Sequence, residues 1–108
     1  MGAVWRGFDR EAGAPVAVKL VVGNGTRFAR EAAVLARLEH PGIVRYVAHG
    51  DAGGERFLAM EWLDGEDLAA RLERGPLSVS ETFALGARVA EALAVAHAAS
   101  VVHRDIKP

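Results

Sequence analysis

The run PVAVKLVV, residues 15–22, restricts the fold of this 108-residue chain more than any other stretch. It is rich in β-branched valine, opens on Pro15 and closes on Gly23-Asn24-Gly25, which is the pattern of a strand. Side chains alternate along a strand, so Val16, Val18, Leu20 and Val22 share one face while Ala17, Lys19 and Val21 share the other. A lysine amid so much apolar surface must either reach its ammonium out to water or meet an anion. On its own, Lys19 is better explained as an edge-strand lysine than by a buried anionic partner.

The segment after this strand offers such a partner. In TRFAREAAVLARLEH (26–40), Phe28, Ala32, Leu35 and Leu38 recur at helical spacing until Pro41-Gly42 ends the pattern. Glu31 lies three residues after Phe28, beside the apolar stripe, where its carboxylate can turn inward. The competing account keeps it in solvent, paired locally with arginines such as Arg27. Residues 1–9 read as a strand or part of a hairpin, and IVRYVAHGD and ERFLAMEWL as two strands joined at Ala52-Gly53-Gly54. GEDLAARLERG (65–75) is a short helix ended by Gly75-Pro76. Ser78 and Glu81 form an S-x-x-E capping box for a longer helix reaching about Ser100. This order predicts an α+β fold: an antiparallel sheet with one inserted helix, followed by a helical part.

Bulk properties exclude several classes of function. The chain has room for one domain at most. With 51% hydrophobic and 25% charged residues it has the composition of a globular protein, not a disordered one. A net charge of −1 provides no basic field for nucleic acid or an anionic membrane surface. The absence of cysteine removes disulfides, thiolate nucleophiles and zinc–thiolate sites. Arg88, Glu91 and His97 interrupt the most apolar region, residues 82–102, so no membrane segment is expected within the chain. Neither a signal peptide nor a myristoylation pattern opens it, and a cytoplasmic location is the expectation, with membrane anchoring further downstream left open. There is no G-x-x-x-x-G-K-[ST] phosphate loop.

In chain order, the stretches MGAVWRGFDREAGAPVAVK, FAREAAVLARLEHPGIVRY, FLAMEWLDGEDL and VVHRDIKP resemble the protein kinase family, in particular bacterial serine/threonine kinases of the eukaryotic type. The resemblance covers the whole chain. It implies a kinase-like small lobe and hinge over about residues 1–63, a twisted antiparallel sheet with one helix. The first helices of the large lobe would occupy 64–108.

The same resemblance implies the site. Gly2 is the last glycine of the loop over the ATP phosphates, Val4 covers the adenine, and Ala17 lines its pocket. Lys19 holds the α- and β-phosphates and pairs with Glu31. Met60 falls at the gatekeeper position, and Glu61, Trp62 and Leu63 form the hinge whose backbone reads the adenine edge. Asp67 sits where the family often contacts ribose or a basic substrate residue; the plainer account is a helix-start carboxylate.

In the last stretch, Asp105 is the base for the substrate hydroxyl, and Lys107 neutralises the transferring γ-phosphoryl group. His103 is structural and Arg104 binds the activation segment. The implied cofactors are ATP and Mg²⁺, and the implied partner is a protein with a serine or threonine acceptor, not nucleic acid. The family's metal-binding asparagine would lie two residues beyond Pro108, and the D-F-G aspartate further on. The chain is therefore expected to be the N-terminal part of a catalytic domain, unable to hold the metal and inactive alone. Met1 is as readily a truncation point as a biological start. A small-molecule phosphotransferase of related architecture and a non-catalytic pseudokinase are the rival readings.

Overall fold

Four antiparallel strands form one sheet in the order β1-β2-β4-β3: β1 (Val4–Asp9), β2 (Ala14–Val21), β3 (Tyr46–Ala52) and β4 (Glu55–Glu61). The structure is a computed structural model that describes residues 3–22 and 25–108. Two units are distinguishable along the chain, Met1–Trp62 and Leu63–Pro108. The expected strands of the first unit are all present.

The valine-rich run forms β2, hydrogen-bonded on both sides, which suits its apolar character. Val16 on β2 and Ala59 on β4 are each 6% exposed and mark the buried part of the sheet. The β3–β4 loop is the two-residue Gly53-Gly54 turn, with φ of +59° and +82°. Two consecutive left-handed residues make the primed turn whose twist matches the strands it joins, and glycine takes that conformation without steric cost. Strand β3 starts later than the sequence suggests: Ile43–Arg45 lie outside it, and a register shift follows Tyr46.

Helix α1 (Gly25–Leu35) is inserted between β2 and β3 and buries Phe28 and Ala32. It stops five residues short of the expected end at residue 40. At 100° per residue, a continued helix would carry Leu38 about 80° away from Phe28 around the axis. The chain instead tightens into a turn, with Arg37 N–H donating to Val34 O and Leu38 N–H to Leu35 O. Leu38 is then only 8% exposed. Burial of one leucine, worth about 1.5–3 kcal/mol, outweighs another turn of exposed helix.

The second unit holds α2 (Leu68–Leu72) and α3 (Val79–Ala98). Helix α2 is shorter than the expected 65–75, because Gly65 has φ +143° and Asp67 is already the N-cap. The Ser78–Glu81 capping box is complete: Glu81 N–H donates to Ser78 Oγ, and Ser78 N–H to Glu81 Oε1, both at 3.0 Å. The Ser78 backbone N–H, and after it the Ser78 hydroxyl, hold the Glu81 carboxyl below its ordinary range. Helix α3 runs unbroken to Ala98 and buries only Ala96, leaving Val79 and Phe83 largely exposed.

Candidate nucleotide and phosphoryl-transfer residues

Opposed residues on antiparallel strands share a face, so the sheet register collects the candidates of the first unit. Val4 on β1 lies opposite Lys19 on β2, and Lys19 opposite Leu58 on β4. One row away, two residues along each strand, Arg6 lies opposite Ala17, and Ala17 opposite Met60. Val4, Ala17, Lys19 and Met60 therefore sit on a single face, three apolar side chains and one ammonium. Gly2 lies outside the described residues.

Helix α1 packs on this same face. The Phe28 ring meets His49 edge-on, with centroids 5.7 Å apart, and His49 stands opposite Leu58. The Tyr46 hydroxyl lies within hydrogen-bonding distance of His49 Nδ1. A cleft of about 510 Å³ runs between helix and strand, lined by Lys19, Leu58, Phe28 and Glu31 among others. Lys19 is half-buried and Glu31 exposed. The two line one cleft, but among the described residues no ion pair joins them. Glu31 Oε1 is instead 3.1 Å from Arg27 Nε, one helical turn earlier. Such an exposed pair is worth about 0.3–0.5 kcal/mol, a weak hold on Glu31.

Strand β4 leads into the segment expected to read the adenine edge. Glu61 is half-buried, and its carboxylate accepts from Arg45 N–H at 2.9 Å while its own N–H donates to Arg45 O. These bonds tie the end of β4 to the residue before β3. Trp62 is half-buried beneath the Arg6 guanidinium, whose Cζ lies 5.4 Å from the ring centroid. Leu63 opens the second unit and is 62% exposed. The Arg6–Trp62 contact was not foreseen from the sequence, although MGAVWR places Arg6 two residues beyond Val4, on the same strand face.

In the second unit, Asp67 caps α2: its Oδ1 accepts from Ala70 N–H at 2.8 Å. Beside it, Glu66 forms a two-pronged pair with Arg74, both contacts at 2.6 Å. That guanidinium holds the Glu66 carboxyl below its ordinary range. The local account of Asp67 as a helix-start carboxylate thus has a specific bond behind it.

The HRDIKP stretch brings its charged groups together. Lys107 Nζ is 3.1 Å from Asp105 Oδ2, and Asp105 N–H donates to His103 Nδ1 at 3.1 Å. Arg104 takes a left-handed backbone conformation, φ +67°, which turns the chain between His103 and Asp105. Asp105 and Lys107 are both exposed. No cluster of three or more His, Asp or Glu side chains able to hold a metal occurs among the described residues, and no helix among them is long and apolar enough to cross a membrane.

The family model described as the protein kinase domain matches residues 1–108. The chain is 37% identical to the serine/threonine-protein kinase pkn2 of Myxococcus xanthus, with all of the chain aligned to 14% of that protein. It is 41% identical to the serine/threonine-protein kinase PkaA of Streptomyces coelicolor, over 99% of the chain and 23% of that protein. The crystal structure of the Mycobacterium tuberculosis PknI kinase domain superposes with a TM-score of 0.85 at 33% identity, covering the whole chain and 48% of that structure. The chain thus spans less than a third of these two curated relatives and about half of a solved kinase domain.

Proposed function

Since this chain belongs to the protein kinase family, we propose that the whole protein transfers the γ-phosphoryl group of ATP to serine or threonine hydroxyls of proteins. The observation that carries the proposal is the Asp105–Lys107 pair at 3.1 Å, a carboxylate and an ammonium side by side in a short turn. A hydroxyl attacking phosphorus loses its proton as negative charge moves onto the phosphoryl oxygens. Asp105 accepts that proton, and Lys107 turns from its resting partner toward the γ-phosphoryl oxygens. The new bond is oxygen to γ-phosphorus; the bond between γ-phosphorus and the β,γ-bridging oxygen breaks, and ADP leaves with its electron pair.

ATP suits the residues of the first unit. Val4, Ala17 and Met60 share a face with Lys19; the three apolar side chains suit adenine, and the ammonium suits the α- and β-phosphates. Glu31 shares a cleft with Lys19, so a modest rotation of α1 or of the side chain exchanges Arg27 for Lys19. The described residues do not form a metal site by themselves. Use of ATP suits a cytoplasmic location.

The test is phosphate transfer by the complete kinase domain to a protein substrate, read by phosphoamino-acid analysis. Asp105→Asn is expected to lower kcat by about 10²–10⁴-fold with ATP affinity nearly unchanged. Lys19→Met should also cripple turnover, through misplaced phosphates. Wild-type turnover by the Asp105 variant, or phosphate appearing only on small molecules, would overturn the reading.

A further inference from the structure

The nucleotide-site residues named above do not include Arg6, yet Arg6 occupies the same face. It stands opposite Ala17, which stands opposite Met60, so these three side chains form one row across the sheet. Trp62 follows Met60 by two residues, and in extended chain that spacing returns its side chain to the face of Met60. The Arg6 guanidinium meets it there, Cζ 5.4 Å from the ring centroid. A guanidinium within about 6 Å of an indole face is attracted by the ring quadrupole, and its planar group also stacks. No ion pair of Arg6 is found among the described residues. The row thus joins the outer strand to the residue just after β4 through side chains, where β2 lies between the two strands.

We propose that Arg6 is a positioning residue for the nucleotide site: stacked on Trp62, it holds β1, and with it Val4, at a set distance from Glu61 and Trp62. The inference rests on the nucleotide reading above. If adenine enters between Val4 and the backbone of Glu61 and Trp62, the spacing of those two walls decides how well it fits. Among the described strands β1 reaches β4 only across β2, in the order β1-β2-β4, so no backbone hydrogen bond between β1 and β4 sets the spacing of Val4 from Glu61 and Trp62. A side-chain tie across the row sets it without touching the reacting phosphate. The contact therefore acts on nucleotide binding and leaves the chemical step alone.

The experiment is steady-state kinetics of the complete kinase domain, with ATP and protein substrate varied separately. Arg6→Met keeps the aliphatic stem and removes the charge. It should raise KM for ATP about two- to fivefold, the range of an exposed cation–π contact, with kcat and the KM for protein substrate unchanged. Arg6→Lys should restore KM for ATP to within about twofold of the parent. Trp62→Leu should reproduce the rise, and the double variant should be no worse than either single one, because both remove the same contact. Should Trp62→Leu fold poorly, Trp62→Phe keeps a ring with a weaker cation–π attraction and should raise KM for ATP in the same direction, with no further rise when Arg6→Met is added. Additive effects of the two substitutions, or an unchanged KM for ATP in Arg6→Met, would overturn the proposal. A parent domain that fails to bind ATP at all would instead overturn the nucleotide reading on which it rests.

Discussion

Ser100 occupies a position where glycine should serve better, and replacing it tests how α3 ends. The helix caps at Ala99 (φ −93°, ψ 12°), and Ser100 follows with φ +62°. Ser100 N–H donates to His97 O at 3.0 Å, and Val101 N–H donates to Ala96 O at 2.9 Å. This pair of bonds is the Schellman arrangement, which satisfies carbonyls that the helix end leaves open. Its central residue must be left-handed, a conformation that costs a residue with a Cβ about 1–2 kcal/mol. Glycine removes that cost but brings more freedom to the unfolded chain, returning about 0.5–1 kcal/mol. The net expectation for Ser100→Gly is a gain of about 0.5–1 kcal/mol. In a complete kinase domain of roughly 150–250 residues, that is a rise in Tm of about 1–4 °C. Thermal melting, with urea unfolding at an unchanged m value, measures it. Ser100→Ala is the control: it keeps the Cβ and should bring no gain. Equal stabilisation by alanine and glycine would place the cost in the hydroxyl group, and no gain from glycine would show that the left-handed turn is not strained; either result refutes the reasoning.

Glu81 makes a pH prediction. Its folded pKa is lowered by the capping box, so its contribution is fully present above the ordinary glutamate pKa and is lost as pH falls through the depressed folded value; Glu81→Gln should remove that part of the acid-side fall in Tm. Asp67→Ala should cost about 0.5–2 kcal/mol of local stability by removing the α2 cap, whereas Asp67→Asn should keep the cap. A raised KM for ATP or for basic substrates in Asp67→Asn would give the carboxylate a second role. Arg27→Ala frees Glu31 from a pair worth about 0.3–0.5 kcal/mol and should raise kcat/KM for ATP about twofold; a fall would show that Arg27 does not compete with Lys19 for Glu31.

The sequence by itself determined the features that depend on near neighbours. Alternation along residues 15–22 placed Ala17 and Lys19 on one face, and the register agrees. Ser78 and Glu81, three residues apart, specified a helix start whose two bonds are both made. Gly53-Gly54 specified a tight turn because both residues need positive φ. The HRDIKP stretch carried Asp105 and Lys107 within reach of each other through its own spacing. Tertiary structure decided whatever requires a choice between local and distant partners. The order β1-β2-β4-β3 places β4 between β2 and β3, a pairing that no periodicity contains. The end of α1 followed the burial of Leu38, not the distant Pro41. Glu31 had two cations to choose from, and the sequence names both; the Arg27 pair closes within one turn of helix, whereas a Lys19 pair requires α1 to sit at a particular height over β2. Arg6 and Trp62 are 56 residues apart in the chain, and only the sheet register brings them into contact. Local patterns are legible because caps, turns and side-chain periods depend on a few adjacent residues. Partner choice among exposed charges rests on differences below about 1 kcal/mol, which only the assembled surroundings settle.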